Sequence, residues 1–457
     1  MNRAHILRVT EQVLVAHPRA TMGEIAAAAN VSRGTLYRHF PTRGDLLVEV
    51  SAQARAAAVE TEDDHLRPAG ELARSTPTPL SVADLLNKVP PHLIGDQIVA
   101  EAHRIGGVDS AAVYLVDLDG ADLRRLAGPR SFPLTIPVPL AVGTEIPREG
   151  LPALRAAVED HLPGATAAPL LLRGRALGVL VALGCEEQAL ADLAYEGAAA
   201  IALGEAHTDA LAGARRTRPT SPAAEIQQNL LPPRVVRTNG ALIAGNVKPG
   251  YEIGGDWFDY AENPSGTWVG TADATGSGAA AAALASVALG AFRSARHQRL
   301  GLAATVALMD ETVREVATDG ATVEVTIGFW VPPTATFSWV SCGELGPVVV
   351  SADGRADLLE GGRRPPLGAP EGLGEVTPRT RRLAMGDRLV LASDGVLDHT
   401  TGPDEPFGIQ GVVDAVRAAP HGSAAGAVSA IEATLGASAD RLIDDATLVV
   451  LVPVRGA

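Results

Sequence analysis

Apolar positions recur every three or four residues through the first fifty, at Ile6, Val9, Val13 and Leu14, then at Ile25, then at Leu36 and Phe40. That period predicts three short helices, each with one buried stripe. "TMGE" ahead of the second reads as a capping box, in which the Thr21 hydroxyl accepts from the Glu24 amide and Glu24 reaches back. Asn30 permits the next turn and Ser32 caps the third helix. From about residue 80 the pattern changes to strands mixed with helices. "AAVYLVDLDG" predicts a strand ending in a turn, and "AAPLLLRGRALGVLVALG" two strands joined across Arg173, Gly174 and Arg175. A helical pattern then runs from Gln188 to Arg215, with Leu190, Leu193, Ala194, Ile201 and Leu211 along one side and Gly197 as a gap in the stripe. From Glu225 onward short strands alternate with helices and glycine turns.

Two polar, proline-bearing stretches, 61–80 and 215–224, interrupt these patterns. They predict a helical domain over 1–60, a linker over 61–80, a mixed domain over 81–215 and a third domain over 216–457. The full length of 457 residues suits three units of roughly 150 residues each.

Charge adds one contrast. The net charge of −15 argues against a chain that coats nucleic acid along its whole length. The first fifty residues instead hold six Arg against four acids, which leaves room for a local DNA-binding module on an acidic body. On the third helix Leu36 and Phe40 face inward, leaving Arg33, Thr35, Tyr37, Arg38 and His39 outward. Cations, a hydroxyl and a phenol on one short helix suit phosphate oxygens and base edges in the major groove. Cys185 and Cys342 are the only cysteines, too few for a disulfide framework or a thiolate zinc site. Cys185 is expected as a small core residue rather than a redox or haem handle. The longest apolar run, Ala279 to Phe292, is too short to cross a bilayer, which needs about 20 residues, and no apolar leader core opens the chain. A soluble, cytoplasmic protein with no membrane partner is expected.

The acids of the third domain carry the sharpest signal. "GGDWFDYAENPSGTWVGTADATGSG" places Asp256, Asp259 and Asp273 in stretches that otherwise read as buried strand. "DRLVLASDGVLD" places Asp394 directly after an apolar strand, with Asp398 one turn on; "DRLIDDATLVVLVP" places Asp444 and Asp445 just before another. Burying unpaired carboxylates is costly. Several from separated segments, with almost no His or Cys nearby, select a hard oxygen-loving cation such as magnesium or manganese rather than zinc.

Three resemblances sharpen this reading. "MGEIAAAANVSRGTLYRHFPTRGDLL" closely resembles the TetR-family DNA-binding domain, which implies an operator partner and a homodimer whose contacts must come from elsewhere in this chain. The middle block, helix then sheet then closing helix, resembles a GAF sensory domain, which implies a small-molecule ligand; a folded spacer or dimerisation unit is the alternative. "NLLPP", "GGDWFD", "TADATGSG", "LVLASDGVLD" and "DDATLVVL" resemble, in order, the PPM-type metal-dependent serine/threonine phosphatases, in the branch of the stage II sporulation protein E phosphatase and the stress-response sigma-factor regulators.

The last resemblance implies an α/β/β/α sandwich and two manganese or magnesium ions. It implies Asp256, Asp273, the Ala274 carbonyl, Asp394 and the pair Asp444/Asp445 as metal ligands, with Asp444 favoured as the direct one. Asp256, Asp273, Asp394 and Asp444 are the catalytic set it implies. Asp259 and Asp398 are expected beside the ions or as capping acids. Arg363 and Arg364 are candidates for the substrate phosphate. Ser277 and Glu344 stand where the family often has histidine, which bears on substrate approach. The expected whole is a helix-turn-helix domain, a GAF-like α+β domain and a phosphatase in series. The expected function is a signalling protein phosphatase acting on an anti-sigma-factor antagonist. The alternative is a DNA-binding transcription regulator whose phosphatase domain serves as an effector or assembly module.

Overall fold

The computed structural model describes residues 3–455 except 17–19, 41, 43, 47–48, 51–80, 139–140, 250, 252–253, 345, 362, 403–404, 438–441 and 443. The expected linker at 61–80 and the side chain of Leu14 lie outside the described residues.

Three helices open the chain: α1 (Arg3–Ala16), α2 (Met22–Ala28) and α3 (Arg33–His39). The capping box forms, with the Glu24 amide donating to Thr21 Oγ1 at 3.3 Å and the Thr21 amide to Glu24 Oε2 at 2.6 Å. Asn30 takes the left-handed conformation at φ 53° between α2 and α3, and Ser32 caps α3 by accepting from the Thr35 amide at 3.1 Å. Ile6, Ile25, Leu36 and Phe40 share one small buried core.

The middle block carries α4 (Val82–Lys88), α5 (Ile94–Ala102), β1 (Ser110–Val116), β2 (Asp122–Ala127), β3 (Thr135–Pro137), β4 (Ile146–Pro147), α6 (Leu151–His161), β5 (Ala165–Leu172) and β6 (Arg175–Leu183). The strands form one sheet in the order β3-β2-β1-β6-β4, with β5 also on β6. Arg173 and Gly174, both at positive φ, make the tight β5–β6 turn. The long helix expected from 188 to 215 is broken in two. α7 (Glu187–Gly204) ends in a 3₁₀ turn, Thr208 is extended, and α8 (Asp209–Arg215) restarts with the Thr208 hydroxyl accepting from Ala210. A threonine that can cap competes with one that must continue a helix. The stripe survives the break: Leu190, Leu193, Ala194, Gly197, Ile201 and Leu211 are all buried.

The remainder builds two sheets between two helical layers. Its elements are α9 (Pro222–Leu230), β7 (Val235–Thr238), β8 (Ala241–Lys248), β9 (Asp256–Asn263), β10 (Gly266–Ala274), α10 (Gly278–His297), α11 (Leu302–Val316), β11 (Val323–Val331) and β12 (Thr336–Cys342). There follow β13 (Val348–Val350), β14 (Ala356–Leu358), β15 (Arg363–Arg364), β16 (Arg379–Arg382), β17 (Arg388–Ala392) and α12 (Asp394–Leu397). A ribbon of β18 (Thr400–Gly402) and β19 (Glu405–Pro406), then α13 (Gly408–Ala418), α14 (Ala424–Gly436) and β20 (Ala446–Pro453) complete the chain.

One sheet runs β15-β12-β11-β10-β9 with β16 on β12; the other runs β14-β13-β17-β20-β8-β7. Their inner faces meet through Phe258, Val269, Trp330 and Phe337 on one side and Leu389, Leu391, Val449 and Leu451 on the other. The helices α10 and α11 cover the first sheet, where Trp257 stacks on Phe292 at 5.8 Å between ring centres. The second sheet is covered by α13 and α14. This is the expected α/β/β/α sandwich. Among the described residues α10 is the one helix long and apolar enough to cross a membrane, and half of its apolar window is buried against the sandwich.

Candidate metal centre

The acid cluster arises from strand register. On β9 and β10, Asp256 and Asp273 are direct cross-strand partners, so their side chains leave the sheet on the same face. That face is the inner one, because Phe258 and Val269, in step with them, lie in the core between the sheets. From the opposite sheet, β17 ends at Ala392 and Asp394 starts α12, while Asp444 and Asp445 immediately precede β20. Since β17 and β20 are paired, those two ends stand side by side. Gly395 allows this contact: a Cβ there would lie 2.0 Å from the Asp445 carbonyl oxygen.

A hydrogen-bond frame fixes the junction. The Ser393 hydroxyl donates to the Asp445 carbonyl at 3.1 Å and accepts from the Thr447 amide at 2.9 Å. The Thr447 hydroxyl donates to Asp256 Oδ2. Gln227 on α9 donates through Nε2 to Asp445 Oδ2 at 2.6 Å, and the Asp256 amide donates to the same oxygen at 3.4 Å. The two adjacent acids therefore differ in station. Asp445 is buried within this frame, whereas Asp444 is exposed and accepts from the Asp445 amide at 2.8 Å.

Electrostatics report the crowding. Burial pushes Asp256 well above the usual carboxylate range, and the charges of Asp273 and Asp445 push it further. Burial and the neighbouring Asp394 raise Asp273 to about 8. Burial raises Asp445 to about 7 against the lowering bond from Gln227, and burial also raises Asp444. Among the described residues no cation acts as a counter-charge to these four acids.

The donors fit a hard divalent cation. They are all oxygens, and Asp445 Oδ1 is sealed from solvent with no hydrogen-bond partner. Among the described residues, no group of three Asp, Glu, His or Cys side chains already has the geometry to hold an ion, so the arrangement is a set of adjacent carboxylates rather than a closed cage. Ala274 ends β10 directly after Asp273, its amide donating to the Gly255 carbonyl at 3.1 Å.

Other expected residues fall elsewhere. Asp259 is not beside the acids: it faces α10, where Arg293 Nε at 3.0 Å and Arg296 Nη2 at 2.5 Å donate to its carboxylate. Asp398 is the exposed residue that follows α12. Arg363 is exposed and shares a shallow pocket with Glu344, Ala392 and Leu397, and Ala392 also lines the acid cleft. Arg364 donates instead to the Glu375 carbonyl. Ser277 precedes α10 without a side-chain cap. On α3, Arg33, Tyr37 and Arg38 are exposed, while Thr35 and His39 are half-buried. Cys342 is buried with its thiol raised to about 12, and burial raises the half-buried Cys185 as well, so neither is poised to react.

Three contributors were not read from the sequence: Gln227, Ser393 and Glu324. The last is the cross-strand partner of Asp273 on β11. Its signal was present in "TVEVTIGFW", where a single charge interrupts an apolar strand.

Comparison with known proteins adds two matches. Residues 263–452 match the family described as Stage II sporulation protein E (SpoIIE), and residues 6–50 match the bacterial regulatory proteins of the tetR family. Asp273, Asp394 and Asp444 fall inside the first match; Asp256 lies just before it. The HTH-type transcriptional repressor LfrR of Mycolicibacterium smegmatis is 33% identical over 121 residues, which is 25% of this chain and 63% of that repressor. The RsbU and RsbW domains of Rv1364c from Mycobacterium tuberculosis superpose with a TM-score of 0.43 at 22% identity, covering 48% of this chain and 63% of that one. The SiaA-PP2C domain of Pseudomonas aeruginosa gives 0.44 at 20% identity, over 51% and 94%. Superpositions this loose carry no functional argument.

Proposed function

We propose that this chain, a tetR-type segment followed by a SpoIIE-type one, is a metal-dependent protein serine/threonine phosphatase that also binds DNA. The observation that supports it best is the meeting of Asp256, Asp273, Asp394 and Asp444 from four separated segments at one end of the sandwich. Asp256, Asp273, the Ala274 carbonyl, Asp394 and Asp444 would hold two manganese or magnesium ions. Such ions supply Lewis acidity: a nucleophile from water near neutral pH and charge neutralisation for a phosphoryl group. The chain's own part is orientation. Thr447 fixes one oxygen of Asp256, and Gln227 with the Asp256 amide fixes one oxygen of Asp445. Asp444, the exposed member of its pair, is the one free to turn into the cleft. Arg363, whose pocket shares Ala392 with the acid cleft, would meet the phosphate.

The substrate class we propose is a phosphoserine or phosphothreonine protein of the anti-sigma-factor antagonist type, in the cytoplasm. Regulation would come through the middle block, read as GAF-like and ligand-binding. Its buried Glu145 pairs with Arg175 at 2.8 Å and accepts from the Val235 amide of β7 at 2.9 Å, joining the block to the segment that follows α9. The exposed Arg33, Tyr37 and Arg38 would meet DNA as one half of a homodimer. Two assays separate the activities. Manganese-dependent release of phosphate from a phosphoserine protein, lost on chelation, supports the enzyme; its absence on every phosphoprotein tried favours a regulator with an assembly module. Retention of DNA at low salt that weakens in Arg38→Ala supports the N-terminal role, and no retention removes it.

A further inference from the structure

The inner face of the first sheet carries three acids in one row. Asp256 pairs with Asp273 across β9 and β10, and Asp273 pairs with Glu324 across β10 and β11. Thr271 and Thr326 are the next pair down the same row, and Val269 with Gly328 the next, so the face turns from apolar to acidic towards the cleft. Glu324, Asp273 and Asp394 line one cleft. Among the described residues the hydrogen bond to the Glu324 carboxylate comes from the Glu344 amide at 3.2 Å, and no Lys, Arg or His pairs with it. Its charge is repelled by those of Asp394 and Glu344.

Space has been kept for this side chain. Gly343 sits at φ 121°, and a Cβ there would lie 2.4 Å from the Glu324 carboxylate. A half-buried glutamate facing two aspartates has, among the described residues, one backbone amide and no cation to offset its repulsion. Across the row, on the Asp256 side of Asp273, Asp445 Oδ1 is sealed and without a hydrogen-bond partner, a second sign that the acid row as a whole lacks a positive partner.

We propose that Glu324 is a further cation-holding acid of this centre, acting from β11 beside Asp394. This rests on the metal reading above and extends the ligand set by a residue that the matching motifs did not nominate. Glu324 supplies a carboxylate on the outer side of the cleft, opposite the one where Asp256 and Asp445 are buried. Replacement by glutamine keeps the shape and removes the charge.

The test is manganese titration of the full chain by calorimetry, beside the melting temperature of the metal-free protein. Wild type is compared with Glu324→Gln, Glu324→Asp, Asp273→Asn and Glu344→Gln. Glu324→Gln should bind manganese roughly 10–100-fold more weakly, the range seen when a supporting group of a metal site is removed. Its metal-free melting temperature should stay level or rise, because a like charge has gone. Glu324→Asp, which withdraws the charge by one methylene, should fall between, and Glu344→Gln, which removes a like charge beside Glu324 while its amide stays, should not weaken binding. If Glu324→Gln binds manganese like wild type while Asp273→Asn does not, Glu324 is structural only and the proposal fails while the metal centre stands. It fails equally if Glu324→Gln merely melts lower with its affinity intact. If wild type binds neither manganese nor magnesium, the metal centre and this proposal fall together.

Discussion

Asp256 and Asp259 lie three residues apart on β9 and are both buried, yet they live in opposite worlds. Strand alternation sends Asp259 to the helical side, where Arg293 and Arg296 of α10 supply the charge that its burial demands. It sends Asp256 to the inner side, where its nearest charged groups are other acids. The chain meets one buried carboxylate with its own guanidinium groups and leaves the other among acids, a charge that the proposed external cation would offset. A buried acid is therefore read by its partners rather than by its burial.

That contrast can be broken first at the acid row. Asp273→Ala should lower manganese-dependent hydrolysis of p-nitrophenyl phosphate by at least about 10²–10³-fold, the scale on which one charge-stabilising group counts. Initial rates with and without chelator measure it. The helical side should answer differently. Asp259→Ala strands two arginine charges against the sheet and should destabilise folding by about 3–5 kcal/mol, with manganese affinity unchanged. Urea unfolding beside calorimetry separates the two readouts.

Acidity sharpens the same comparison. Carboxylates held above their ordinary pKa favour the protonated folded state. Their stabilisation is complete below the unfolded value of 3.8 and is lost as pH rises through about 7 for Asp445 and about 8 for Asp273. The metal-free protein should thus melt lower at pH 8.5 than at pH 5.5, and saturating manganese should flatten or reverse that slope. The smallest effect is expected at the frame: Gln227→Ala removes the donor to Asp445 and should cost about 1–3 kcal/mol of stability, with a weaker change in metal affinity.

Much of this was legible in the chain. Helical period and cap chemistry made the starts of α2 and α3 legible, since Thr21, Glu24 and Ser32 act locally. The aspartates at strand boundaries, Asp256, Asp273, Asp394 and Asp444/Asp445, were legible because several acids against apolar strands are rarely accidental. Asp259, expected beside the ions or as a capping acid, instead pairs with arginines that lie more than thirty residues on, at 293 and 296, where no local pattern announces them. The break at Thr208 was missed because the apolar stripe continues through it. Glu324 and Gln227 were missed for another reason: cross-strand register and the docking of α9 are tertiary facts, and no local pattern carries them.

The central claim is that carboxylates gathered from four segments hold divalent cations that the chain cannot replace with its own charges. Calorimetric titration of the metal-free full chain with manganese tests it most directly. Saturable binding of two ions is expected, lost in Asp273→Asn and untouched in Asp259→Asn. No binding by the folded wild-type chain, or equal binding by Asp273→Asn, would contradict it.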